Sequence, residues 1–185
     1  HPTLRRQRQM CIRDRDKSSS AASIYSITRE KLVEQIINLN YGGLAKETIE
    51  WKNYGAVSHV RRFLLPLINE HLGDNKSFLL SNKESWNELI IKSFKSAILI
   101  LIDNFGDDIN KWSWGNLHKT NHQHPLSSVY KEYSEILNPK HVSASGDGDT
   151  PFAGSSDKNF NVVAASVNRY AHDPSNWENS RWIVL

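Results

Sequence analysis

Asn82 to Phe105 constrains the fold more than any other stretch of this chain. Trp86, Leu89, Ile90, Phe94, Ala97, Ile98, Leu101, Ile102 and Phe105 recur three and four residues apart, the period that lines side chains up on one face of a helix. Ser81 with Glu84 makes a capping-box pattern at the start, and Gly106 supplies the stop. Ile91, Leu99 and Ile100 fall off that face, so the C-terminal half is expected to be buried nearly all round. The longest apolar run, Ile98 to Ile102, is far short of the roughly 20 residues that span a bilayer. The stretch is expected to be the central core helix of a globular piece, with no membrane partner.

Around it the pattern is helical first and β later. Thr28 to Asn40 carries Leu32, Val33, Ile36 and Ile37 at helical spacing after a Ser-rich lead-in over Lys17 to Ala22, and stops at Gly42-Gly43. Residues 44–58 have no clear period. Val60, Phe63, Leu64, Leu67 and Ile68 predict another helix ended by Gly73, kinked or restarted at Pro66, which lacks an N–H and crowds the preceding turn. Ser128 to Leu137 reads as a short helix before Pro139, and Ser143 to Asp157 as a Gly/Ser/Asp loop. Phe160 to Tyr170 and Arg181 to Leu185, rich in Val, Ile and aromatics, read as strands. The fold class is α+β: a mostly helical first part followed by loops and β-strands.

Charge separates off one end. Residues 1–16 hold five Arg and two Asp, the only Cys (Cys11) and the only Met (Met10). The remaining residues balance 18 basic against 18 acidic groups, with 13 Lys and 5 Arg. The string RQRQMCIRDR resembles translated sequencing-adapter debris, so residues 1–16 are expected to be a non-native tail, and residues 17–185 the domain. With the tail set aside, no basic stripe remains to argue for nucleic acid. A single Cys excludes an intrachain disulfide and a Cys-based metal cluster. No signal-peptide apolar core is present.

Isolated chemical motifs are weak. His118, His122 and His124 have a spacing that a zinc site can use with one further ligand, and a metal-binding module is the alternative reading of the chain. Helical geometry would put His118 and His122 on one face but not His124, which Pro125 makes extended. Two core or hydrogen-bonded imidazoles and one surface imidazole are the preferred reading. Gly146-Asp147-Gly148-Asp149-Thr150 offers two carboxylates, but Pro151 and Phe152 stand where a calcium loop needs its next ligand and glycine, so a tight turn capped by the carboxylates is expected there. No GxSxG elbow exists.

An ordered set is more specific: Trp112-Ser113-Trp114-Gly115, His118, His124-Pro125, Gly146-Asp147 with Thr150, then Arg169 with Asp173. After a long helix, that order resembles the late β chain of the penicillin acylase family of N-terminal-nucleophile amidases, which includes acyl-homoserine-lactone acylases. Residues 78–185 follow the order; 23–77 are compatible and carry no motif. His122 stands where the family has an aromatic, and Pro151 where it has an apolar residue. The resemblance implies a fragment of an αββα hydrolase, continued on both sides in its parent, which would be periplasmic or extracellular. It also implies an N-terminal Ser whose α-amino group is the base, an Asn and a backbone N–H for the oxyanion, an N-acyl small-molecule substrate, and partner α and β chains. No serine here carries the nucleophile motif, so no residue of this chain is assigned to catalysis, and no cofactor or metal is implied. The motif residues would be architectural. Trp112 and Trp114 would share a face if extended, with His118 a candidate partner for an indole N–H, and Arg169 with Asp173 a candidate ion pair.

Overall fold

The computed structural model describes residues 15–45, 54–80, 84–148, 150, 154–157, 159–165, 168–171, 175–176, 178 and 181–184. They divide into two compact units, one formed by residues 20–112 and the other by 113–185 together with the segment preceding Ser20. Of the stretch expected as a tail over residues 1–16, Arg15 and Asp16 are described and Arg15 is buried; residues 1–14 lie outside the described residues.

The first unit is helical: α1 (Ser20–Tyr41), a 3-10 turn (Gly42–Leu44), α2 (Tyr54–His71) and α3 (Trp86–Phe105), closed by a 3-10 turn at Ile109–Lys111. Helix α1 starts eight residues before the expected Thr28. Its Ser-rich beginning is not a lead-in, because Ala22, Ser23, Ser26 and Ile27 are buried and extend the line of Val33, Ile36 and Ile37. Burial on a partner helix outweighs the weak helix propensity of serine. Gly42, at φ 51°, takes the left-handed conformation that ends the helix. Helix α2 runs through Pro66 rather than restarting there. Leu64 and Ile68 face inward while Phe63, its neighbour in the apolar pattern, is exposed.

The core joins Val33, Ile36 and Ile37 of α1 to Ala45, to Leu64 and Ile68 of α2, to Leu79, and to Trp86 and Leu89 of α3. Each fully buried Leu or Ile contributes about 1.5–3 kcal/mol by leaving water. At the other end of α1 the Ser20 hydroxyl donates to the Ile109 carbonyl (2.8 Å), just past α3. Helices α1 and α3 therefore run antiparallel.

Helix α3 corrects two expectations. Its N-cap is Ser85, not Ser81. The Ser85 side chain accepts from the Glu88 N–H (3.3 Å), and the Ser85 N–H donates to the Glu88 carboxylate (2.8 Å). Both spacings fit a capping box, and the structure uses the one directly before Trp86. That residue is buried, with its indole N–H donating to the Asp74 carbonyl (3.2 Å). The bonds that the Ser85 N–H and the Ser85 hydroxyl (3.0 Å) donate to the Glu88 carboxylate hold its pKa below the usual carboxylate range. Nor is the C-terminal half buried all round. The buried line is Trp86, Leu89, Ser93, Ala97 and Leu101, whereas Ile91, Phe94 and Leu99 are exposed.

The second unit contains a short helix α4 (Trp114–Leu117), 3-10 turns at Pro125–Ser128 and Lys131–Tyr133, helix α5 (Ser134–Leu137), and strands β1 (Gly154–Ser156), β2 (Val162–Ala165), β3 (Asn168–Ala171) and β4 (Arg181–Val184). In place of the helix expected over Ser128 to Leu137 there are a 3-10 turn at Lys131–Tyr133 and the four-residue α5, with Ser128 ending the 3-10 turn before them. Strand β1 lies within the stretch read as loop, and pairs antiparallel with β2 through an irregularity at Ser155/Ser156. Strand β3 pairs antiparallel with β4, Arg169 opposite Ile183 and Tyr170 opposite Trp182. Among the described residues each ladder has two strands, so the molecule is α-rich with two small ladders. The layered αββα arrangement is not formed by these residues.

Candidate functional site

Trp114, Gly115, His118, Gly146, Asp147 and Thr150 gather in the second unit around one extended segment, 118–121. On one side the Thr120 N–H donates to the Val142 carbonyl (2.9 Å) and the Ala144 N–H to the His118 carbonyl (2.9 Å). On the other, the Asn121 N–H donates to Val162 (2.7 Å) and the Val162 N–H to Lys119 (2.7 Å). The residues after WxWGxxH thus lie between the approach to the GDxxT loop and the start of β2.

Trp114 and His118, one helical turn apart, stack with ring centroids 4.5 Å apart and planes 16° from parallel. Both are buried, His118 to 1 % exposure. The indole N–H of Trp114 donates to the Gly146 carbonyl (2.9 Å), so His118 is not its partner as expected. The His118 Nδ1 lies 2.6 Å from the Phe160 carbonyl oxygen. A carbonyl only accepts, so Nδ1 carries the proton and donates. Burial pushes the His118 pKa below its ordinary value and the nearby Arg15 charge acts the same way; the Phe160 bond and the Asp147 and Asp157 charges oppose it. The imidazole is neutral, stacked and committed at Nδ1.

Phe160 packs edge-on against Trp114, with centroids 6.0 Å apart, and has φ 65°. Left-handed backbone is uncommon for an aromatic residue. The turn before it holds this conformation: Asp157 Oδ1 accepts from the N–H groups of Asn159 (2.8 Å) and Asn161 (2.9 Å). Asp followed by Asn two and four residues on is turn chemistry visible in sequence, and it was the missed signal for Phe160.

Gly146, at φ 82°, donates its N–H to the Arg15 carbonyl (2.9 Å). Asp147 and Thr150 close the expected tight turn, with the Thr150 hydroxyl rather than the Asp147 carboxylate as its cap. The Asp147 N–H donates to Thr150 Oγ1 (2.8 Å), and the Thr150 hydroxyl donates back to the Asp147 carbonyl (3.1 Å). The Asp147 carboxylate pairs with Arg15 at 2.7 Å, with both side chains about 95 % buried. Arg15 lay in the stretch set aside as a tail, so sequence reasoning missed it. Gly115 is required by close approach: a Cβ there would lie 3.0 Å from the Lys17 carbonyl oxygen, the Lys17 Cβ and the Ser143 Cβ. Its N–H donates to Lys17 (2.7 Å), and its carbonyl accepts from the Ser143 hydroxyl (2.7 Å).

The remaining expected residues are elsewhere. Trp112 belongs to the helical unit, where it is buried with its indole N–H on the Gly106 carbonyl (2.8 Å), so the two tryptophans do not share an extended face. His124 caps the turn at Pro125–Ser128, its Nδ1 accepting from the Leu126 N–H (3.2 Å) while its own N–H donates to Asn138 (2.8 Å). His122 is exposed. The three histidines therefore do not converge, and among the described residues no His, Cys, Asp and Glu group has a metal-holding arrangement. The metal-module reading is withdrawn on that geometry. Arg169 stands on β3; Asp173, Asp149 and Pro151 lie outside the described residues.

Two comparisons bear on this arrangement. A family model described as penicillin amidase matches residues 13–185. Penicillin acylase 2 proenzyme of Pseudomonas sp. (strain SE83) is 30 % identical over 103 residues, which is 55 % of this chain and 12 % of that protein. The matched stretch is thus a small part of the relative's length.

Proposed function

Because the chain belongs to the penicillin amidase family, we propose that residues 15–185 are a scaffold portion of an acylase that hydrolyses the amide bond of N-acyl compounds, of the penicillin or acyl-homoserine-lactone type. The catalytic parts lie in polypeptide outside these residues. A Ser Oγ attacks the amide carbonyl while its own α-amino group takes the hydroxyl proton. The amine leaves with a proton, and water releases the acid from the acyl-enzyme. Such chemistry needs a nucleophile beside a matched base and donors aimed at the developing oxyanion. The remaining α- and β-chain polypeptide supplies them, and the parent works in the periplasm or outside the cell. Among the described residues no helix is long and apolar enough to cross a membrane.

The observation that carries this reading is the commitment of His118. An imidazole 1 % exposed, stacked on Trp114 and bonded to Phe160, has no face left for a substrate. The polar groups of the segment hold its own loops, so Trp114, Gly115, His118, Gly146, Asp147 and Thr150 act as architecture. The test compares the purified 185-residue chain with its full-length parent on a chromogenic phenylacetyl amide and an acyl-homoserine lactone. The parent is expected to turn over at least one substrate and the chain neither, since loss of a catalytic set costs on the order of 10⁶ in rate. Turnover by the 185-residue chain alone would refute the scaffold assignment.

A further inference from the structure

The chain leaves the second unit and returns to it at one place. Ser19, the last residue before α1, accepts at its carbonyl from the Trp114 N–H (3.0 Å), and Lys17 accepts at its carbonyl from the Gly115 N–H (2.7 Å). The Lys17 N–H donates in turn to the Ser145 hydroxyl oxygen (3.1 Å). These residues all belong to the second unit. The two segments that flank residues 20–112 in sequence are therefore one backbone hydrogen bond apart, and Gly115, with no Cβ, lets them approach that closely.

The helical unit is closed on its own account. The Ser20 hydroxyl at its start donates to the Ile109 carbonyl near its end (2.8 Å), and the Trp112 indole N–H donates to the Gly106 carbonyl (2.8 Å). Every member of the core cluster that runs from Val33 to Leu89 comes from within residues 20–112. The buried groups of the second unit likewise satisfy one another, Trp114 on Gly146 and His118 on Phe160. A folded segment whose ends meet can sit in a host chain at little cost in closure entropy.

We propose that residues 20–112 are an autonomous module inserted into the second unit through a neck of two paired segments, 17–19 and 114–115, and that either unit opens while the other stays folded. This is independent of the acylase reading, since it uses only backbone pairing and core membership.

Native-state amide hydrogen exchange of the 185-residue chain, read by NMR in increasing urea below the unfolding transition, tests it. Units that open separately show separate free energies and urea dependences. The amides of α1 and α3 are expected to follow one urea dependence, and those of Thr120, Ala144 and Val162 another. Leu89→Ala then removes volume from the helical core. It is expected to speed exchange in α1 and α3 by about 30-fold or more, with Thr120, Ala144 and Val162 at their wild-type rates. Where Leu89→Ala leaves the helical unit unfolded, the gentler Ile37→Val gives the same comparison at about 2- to 10-fold. A single urea dependence for both sets of amides, or equal acceleration of both sets by either variant, overturns the proposal.

Discussion

Gly115 shows how one hydrogen atom in place of a methyl decides a local structure. Its missing Cβ lets the Lys17 backbone come close enough to accept the Gly115 N–H at 2.7 Å. Gly115→Ala therefore forces backbone apart and is expected to cost about 1–3 kcal/mol, read as a lower urea midpoint with an unchanged slope. His118 makes the fold pH-sensitive. Its folded pKa lies below the unfolded value, so the unfolded chain takes up the proton first on acidification. The stabilising contribution is complete above an unfolded pKa of about 6.5. It is lost as pH falls below that value, and the loss levels off once pH is below the folded pKa. Urea titrations from pH 8 to pH 5 are expected to show this decline in the wild type and a flatter profile in His118→Gln, and identical profiles would show that His118 does not set it.

At the scale of elements, α3 is held by part of the face that the pattern picked out: Trp86, Leu89, Ala97 and Leu101 are buried, and Ser93 with them. The period of three and four marked its apolar residues, but two arcs satisfied that period and only packing on α1 chose between them. Leu101, fully buried, remains the test of that choice. Leu101→Asp places a carboxylate among apolar side chains at a cost of several kcal/mol and is expected to abolish cooperative unfolding by circular dichroism. A well-folded Leu101→Asp variant would mean that the α1–α3 packing is not what holds the unit. The capping box slid four residues for a related reason: Ser81/Glu84 and Ser85/Glu88 are equivalent as patterns, and burial of Trp86 selects the second.

For the whole molecule, the contribution of the N-terminal residues to stability is itself testable. Residues 1–14 are proposed to be dispensable, so their deletion should leave stability within about 0.5 kcal/mol, the usual range for surface changes. Arg15→Ala should behave differently. It strands the buried Asp147 carboxylate, and breaking such a pair costs about 3–5 kcal/mol. Thermal melts of both variants separate the cases, and equal Tm values would show that the Arg15–Asp147 pair does not stabilise the unit.

Local order along the chain was legible in the sequence. The long helix ending at Gly106, the change from helix to loop and strand, and the tight turn at Asp147 and Thr150 each rest on neighbours within a few residues, where period, Gly φ and hydroxyl chemistry operate. The ordered motif also carried the family. What the sequence left open was every choice among equivalent local options: which arc of α3 is inside, which serine caps it, and whether a Ser-rich segment is loop or helix. Contacts between residues far apart in the chain were equally hidden, as with Trp114 on Gly146, His118 on Phe160 and Arg15 on Asp147. Tertiary structure decided these because burial and long-range hydrogen bonds depend on what lies opposite, and no spacing along a single chain encodes that.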